Sequence, residues 1–323
     1  MKILLIQTAF IGDVILATPL VEKLHRFYPS AQIDVMLRRG NEGLLAGNPH
    51  VGKLWVWNKK VRKYRHLLAL LLAARRERYD VVVNLQRFAA TGLFSVLAGA
   101  KSVVGFDKNP LSRLYSKRVE HRIGGGLHEV QRNLRLIAHL TDDAFEMPKL
   151  YPQTGDFEHV EQLKAKPYVT ISPASVWFTK QLPAEKWAEV IACTDANKSI
   201  YLLGAKADAA LCEQLVRQSG GRAASLAGQL SLLQSAALMR DADMNYVNDS
   251  APMHIASAMN APTTAFFCST VPAFGFAPLA QEARVVEAVP SPACRPCGLH
   301  GYRACPKGHF RCALDIAPCA NVG

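Results

Sequence analysis

Apolar residues along the chain come in short β-rich runs separated by longer stretches with helical spacing. The runs Ile-Leu-Leu-Ile at 3–6, Ile-Asp-Val-Met-Leu at 33–37 and Val-Val-Val-Asn at 81–84 read as strands, and segments 14–27 and 61–76 between them read as helices. Such alternation predicts a parallel sheet wrapped by helices. It weakens over 141–166, where Pro148, Pro152, Gly155 and mixed charges predict a linker. It then resumes, with strands at 168–172, 199–203, 242–247 and 263–267 and helices at 183–196, 207–219, 231–240 and 251–259. Two doubly wound α/β halves with a cleft between them are expected. Ligands of such sheets sit beyond the carboxyl ends of the strands, so the strand-to-helix loops are where chemistry should lie.

A length of 323 residues, half of them hydrophobic and a fifth charged, suits two globular α/β domains. No low-complexity tract or solenoid repeat interrupts them. The first apolar run is too short for a secretory signal. The stretch 255–280 has no Asp, Glu, Lys or Arg but contains Pro262, Pro272 and Pro278 and so predicts no spanning helix. A cytoplasmic location is expected. Charge then separates the halves: residues 1–150 carry 24 Lys+Arg against 12 Asp+Glu, whereas the remainder carries 14 against 14. The basic half suits an anionic partner such as nucleic acid, phospholipid or a phosphorylated substrate, or serves solubility alone.

Three loops carry candidate chemistry. Thr8-Ala9-Phe10-Ile11-Gly12-Asp13 follows the first strand. Gly12 permits a tight turn, and Asp13 is placed either to cap a helix or to act as a general base toward an attacking hydroxyl. The loop from Ser172 to Lys180, after the strand at 168–172, combines small hydroxyl residues such as Ser172 and Thr179 with a cation, and reads as a phosphate clamp or an ordinary polar loop. It is not a Gly-rich nucleotide-triphosphatase loop. Asn248-Asp249-Ser250-Ala251-Pro252-Met253-His254 follows the strand at 242–247. Asp249 or Ser250 can cap the next helix, whose first-turn amides suit a diphosphate, with His254 one turn further in. A fourth cluster, Cys294, Cys297, Cys305, His309 and Cys312, has the ligands for a zinc but not the spacing of a standard finger. Reduced thiols packing a loop-rich tail, without a disulfide framework, are the expected arrangement.

Gly12-Asp13, the segment Ser172-Pro173-Ala174…Lys180…Pro183…Trp187, and Asn248 through Ala256 together resemble the family-9 glycosyltransferases, the ADP-heptose:lipopolysaccharide heptosyltransferases and their relatives. The cysteine tail through Asp315-Ile316 is similar to a tail of many members. The resemblance spans nearly the whole chain and implies a GT-B fold of two Rossmann-like domains with parallel sheets facing across a cleft. An acceptor domain over 1–155, a nucleotide-sugar domain over 156–312 and a segment 313–323 returning to the first domain would follow. The resemblance implies an inverting, metal-independent enzyme without a cofactor. Asp13 would be the base; Ser172, Thr179, Lys180, Asp249, Ser250, Ala251, Met253 and His254 would hold the donor. The acceptor, an anionic lipopolysaccharide core, would meet Gly12, Lys60, Arg62 and Lys63, and the basic run 59–78 could touch an anionic cytoplasmic leaflet. One departure stands out, Ala251 where the family usually has Gly, which would strain a left-handed backbone or alter the sugar contact. Other readings are a transferase of another nucleotide sugar, an epimerase, a silent binding homologue, or a basic nucleic-acid-binding protein. The last has no helix-turn-helix, finger or aromatic RNA-binding pattern behind it.

Overall fold

The computed structural model describes residues 1–321. The chain divides into one compact unit, Met1–Tyr151, and a second that begins at Pro152. In the first, strands β1 (Lys2–Ile6), β2 (Gln32–Arg38), β3 (Leu54–Trp57), β4 (Val81–Asn84), β5 (Ser102–Phe106) and β6 (Lys117–Val119) form a parallel sheet in the order β3-β2-β1-β4-β5-β6. Helices α1 (Ile11–Ile15), α2 (Thr18–Phe27), α3 (Lys63–Glu77), α4 (Ala89–Leu97) and α5 (Glu129–Leu134) accompany it. Continuous apolar strands are what a parallel sheet covered on both faces requires. Accordingly Ile3, Leu4, Leu5, Ile6, Val82 and Val83 are at most 1% exposed.

The second unit repeats the plan. Strands β7 (Tyr168–Ser172), β8 (Ser199–Leu202), β9 (Ala223–Ser225), β10 (Met244–Asn248), β11 (Thr263–Phe266) and β12 (Ala283–Val286) run parallel in the order β12-β11-β10-β7-β8-β9. Its helices are α6 (Thr154–Val160), α7 (Ala184–Cys193), α8 (Ala209–Gln218), α9 (Leu232–Arg240), α10 (Ala251–Ala258) and α11 (Arg311–Leu314). Trp187 on α7 packs edge-on against Phe266 of β11, with ring centroids 5.2 Å apart, in a core that includes Ile171, Leu202 and Leu215. In each sheet the order reverses between two central strands, β1 and β4 in the first and β7 and β10 in the second. Crossovers leave in opposite directions there, which opens a crevice at the strand ends. Each of the three candidate loops follows one of these central strands.

Some elements differ from expectation in detail. The helix expected over 14–27 is two, because the chain turns between Ile15 and Thr18; Thr18 Oγ1 donates to the Ile15 carbonyl at 2.7 Å, and Pro19 suits the new first turn. The linker region is partly structured. Lys23, fully buried, donates to the Asp142 carbonyl at 2.8 Å, and Tyr151 donates to Glu22 at 2.6 Å, so the chain stays on the first unit up to Tyr151. Helix α3 is present and packs Leu67, Leu70, Leu71 and Ala74 against the core, whereas Tyr64, Leu68 and Leu72 on its other side are 69%, 56% and 54% exposed.

The tail departs from expectation twice. Its described residues after Ala313, expected to return to the first unit, pack on the second: Ala313 and Ile316 join the core that holds Trp187 and Leu215. Val322 and Gly323 lie outside the described residues. Nor are all cysteines reduced, since Cys319 is disulfide-bonded to Cys193 at the end of α7, with Cα atoms 5.7 Å apart. The bond closes a sequence separation of 126 residues, so it removes much freedom from the unfolded chain. Reduction should therefore lower the unfolding free energy by about 2–4 kcal/mol. Denaturant melts with and without dithiothreitol check this, and Cys193→Ser should melt alike in both.

Candidate functional site

In the second unit, neighbouring strands β7 and β10 deliver two of the expected loops side by side. Parallel pairing of Ser172 with Val247 fixes their relative height. Asn248, fully buried at the end of β10, ties the loops together: its Oδ1 accepts from Leu182 N at 2.9 Å, and its Nδ2 donates to the Pro173 carbonyl at 2.9 Å. The two loops are thus tied to each other through one side chain. Lys180 Nζ then reaches Asp249 Oδ2 at 2.6 Å, and Thr270 donates to the same oxygen at 2.6 Å. Both partners of the ion pair are largely shielded, at 16% and 7% side-chain exposure.

Helix α10 begins directly behind this pair. Ser250 is its N-cap residue but makes no side-chain cap bond; Pro252 has no N–H and Met253 N donates to the Ser250 carbonyl at 3.1 Å, so the Ala251 amide is the first-turn donor left for an anion. Ala251 is ordinary helix here, not a left-handed residue, and carries no backbone strain. His254 is buried at 6% exposure and Met253 is fully buried, which makes Met253 a packing residue. Ser172 is buried with its Oγ unpartnered. Thr179 is held structurally, since its Oγ1 accepts from Tyr302 N at 2.8 Å and from Ser269 Oγ at 3.0 Å.

The Tyr302 bond reveals components that local sequence pattern did not. The cysteine tail folds back on the Lys180 loop. Cys297 N donates to the Ser269 carbonyl at 2.8 Å, Arg295 donates to the Thr270 carbonyl at 2.5 Å, and Phe310 lies against Phe178 with centroids 5.1 Å apart. Gly301 adopts φ +76°, and a Cβ there would stand 2.9 Å from Thr179 Oγ1 and 3.0 Å from Lys180 Cγ, so only glycine fits against the lysine stem. Asn248 was legible as the polar end of an apolar strand; Gly301 and Tyr302 gave no sequence signal. As for zinc, Cys294 Sγ lies 3.7 Å from His309 Nε2, but Cys312 is packed into apolar core. Among the described residues no group of three or more His, Cys, Asp or Glu is gathered to hold a metal.

In the first unit, Asp13 does cap its helix. Its Oδ2 accepts from Phe10 N at 3.0 Å, while Gly12 beside it is an ordinary helical residue of α1, not a left-handed turn. Asp13 is partly exposed, yet enough protein surrounds the carboxyl that desolvation raises its pKa, opposed by the Phe10 amide and assisted by the Glu129 carboxylate. A raised carboxyl is a stronger base than an ordinary aspartate. Lys60, Arg62 and Lys63 are exposed on the turn into α3, where Arg62 takes a left-handed φ of +45°. Such a conformation is costly for arginine.

Removing the loop tie has a measurable cost. Asn248→Ala would strand the buried Leu182 amide and Pro173 carbonyl, and should lower stability by about 2–3 kcal/mol in denaturant unfolding. A change near zero would mean that the two loops do not depend on it.

Comparison with known proteins gives a consistent match. The model for glycosyltransferase family 9 (heptosyltransferase) matches residues 67–298. Lipopolysaccharide heptosyltransferase 3 of Escherichia coli is 27% identical over 281 residues, covering 81% of this chain and 82% of that protein. Lipooligosaccharide heptosyltransferase 2 of Haemophilus ducreyi is 26% identical over 354 residues, covering 98% and 96%. Among solved structures, the ADP-heptose lipopolysaccharide heptosyltransferase II of E. coli superposes with a TM-score of 0.81 at 23% identity, covering 98% of this chain and 95% of that one. This likeness establishes the GT-B fold.

Proposed function

Because the chain belongs to glycosyltransferase family 9, we propose that it transfers heptose from ADP-heptose to a lipopolysaccharide-core acceptor, with inversion at the anomeric carbon. The names of its relatives support the sugar and the acceptor class. The observation that carries the reading is the shielded Lys180–Asp249 pair in front of the uncapped first turn of α10. A diphosphate would take charge-assisted hydrogen bonds from Lys180 and from the Ala251 amide at the start of α10, which stabilise negative charge growing on the leaving group. In this reading these groups do that work without a metal ion. Asp13 removes the proton from the acceptor hydroxyl as its oxygen attacks the anomeric carbon opposite the diphosphate. Oδ2 is held by the Phe10 amide, which leaves Oδ1 to receive the proton.

The sign of the pH dependence follows from the base. Asp13 works only when ionised, and burial raises its pKa, so activity should fall with decreasing pH above the ordinary aspartate value of about 3.9. Asp13→Asn should lower transfer about 100- to 10,000-fold, remove that acid limb, and leave donor affinity within about twofold. Steady-state rates across pH, with donor titration by calorimetry, check all three. Retained turnover in the variant would remove Asp13 from the role.

The first unit also carries a surface suited to the leaflet that holds such an acceptor. Tyr64, Leu68 and Leu72 form an exposed apolar stripe on α3, and Leu93 and Leu97 of α4 are 51% and 41% exposed. Lys60, Arg62, Lys63, Arg65, Arg75 and Arg76 accompany them, each worth about 1 kcal/mol at an anionic membrane surface. No helix of the described residues is long and apolar enough to cross a membrane, so the contact would be interfacial. Leu68→Asp with Leu72→Asp should abolish co-sedimentation with phosphatidylglycerol vesicles. Undiminished binding would rule this face out.

A further inference from the structure

Strands β1, β2 and β3 end side by side, and the residues just beyond those ends belong neither to the donor loops nor to the base. Register pairs Ile6 with Met36 and Arg38 with Trp57, so Thr8, Arg38 and Lys59 emerge at one edge of the sheet. Lys59 Nζ donates to the Thr8 carbonyl at 2.6 Å. The Arg38 guanidinium lies 4.6 Å from the centroid of the Phe10 ring, three residues before Asp13. It is also near enough to Asp13 to oppose the rise in its pKa.

This cluster makes no direct ion pair, and Asp13 acts on Arg38 only from beyond ion-pair distance. Among the described residues, neither Arg38 nor Lys59 is ion-paired with a carboxylate, although the half-buried surroundings favour pairing. Arg38 Nε is buried without a hydrogen-bond partner, and so is Thr8 Oγ1, on a residue only 1% exposed. Burial, with the charges of Arg38 and Lys63, pushes Lys59 down to about 8. Two cations held together beside unpartnered buried polar atoms are costly unless an anion arrives to satisfy them. Arginine offers a planar fork and lysine a point charge, a combination that fits a carboxylate or a phosphate.

We propose that Arg38, Lys59 and Thr8 form an anion subsite for the acid group, carboxylate or phosphate monoester, of the sugar acceptor. The subsite deepens the acceptor reading and rests on it for its role in catalysis. It is distinct from Lys60, Arg62 and Lys63, whose exposed side chains suit longer-range attraction. The donor's diphosphate is not the anion intended, because Lys180 and α10 on the second unit already answer it. An acid group anchored beside Asp13 would fix which hydroxyl of the acceptor meets the base.

Calorimetry on the full chain tests this with D-glucuronate, glucose 6-phosphate and neutral glucose as probes. At least one acid should bind where glucose does not, and the stronger of the two identifies carboxylate or phosphate as the group recognised. Arg38→Met and Lys59→Met should each weaken that acid at least about tenfold, with Arg38→Lys between them and the wild type. If Arg38→Met fails to fold, Lys59→Met and Arg38→Lys decide by the same criterion. Acids that bind no better than glucose, or that bind the variants as they bind the wild type, would overturn the subsite. Arg38-dependent acid binding in a protein that transfers no heptose would keep the subsite and sink the transferase reading. Transfer with acid-blind binding would do the reverse.

Discussion

A parallel sheet whose strand order reverses cannot cover the ends of its two central strands, because the crossovers on either side leave in opposite directions. The three loops with candidate chemistry grow from that constraint. In the second unit the reversal lies between β7 and β10, and it places the loop ending in Lys180 next to the loop that begins with Asp249. In the first unit it lies between β1 and β4, and Asp13 follows β1 directly. In each unit the strands thus act as a frame that holds a few polar side chains at fixed heights, with buried apolar runs such as Ile3, Leu4, Leu5 and Ile6 in the first.

Within that frame the polar groups are held by one another. Asn248 links the two loops of the second unit through buried backbone groups, and Thr179 links one of them to the tail. Lys180 and Asp249 are shielded, and isolating either charge would cost several kcal/mol. The pair therefore keeps the lysine in place. On the first unit the balance differs: among the described residues Arg38 and Lys59 are not ion-paired with a carboxylate, and Asp13 acts on Arg38 from further away. The charge excess confined to residues 1–150 has the same sign.

The strands legible in the sequence were the central ones. Tyr168–Ser172 and Val81–Asn84 are continuous apolar runs between turn signals, buried on both faces. Edge strands such as Lys117–Val119 and Ala283–Val286 were not found, because they are short and carry exposed charge, which edges use to resist pairing with other chains. Asp13 was legible as both cap and candidate base, and it does cap. The exposed stripe on α3 could not be foreseen, since helical periodicity reports an apolar face without saying whether anything covers it. In the tail, Cys312 is a reduced thiol packed in the core, as expected, whereas the bond of Cys319 to Cys193 and the support that Gly301 gives Lys180 were missed. The disulfide and the Gly301 contact join residues more than a hundred positions apart, beyond the reach of local pattern.

Transfer of heptose from an ADP-linked donor is the central claim, and mass spectrometry of a heptose-deficient lipopolysaccharide core addresses it directly. The core would be incubated with the full chain and either ADP-heptose or UDP-glucose. It should gain one heptose, with ADP released in equal amount, only with the first donor. A core left unchanged by ADP-heptose, or glycosylated from UDP-glucose instead, would contradict the claim.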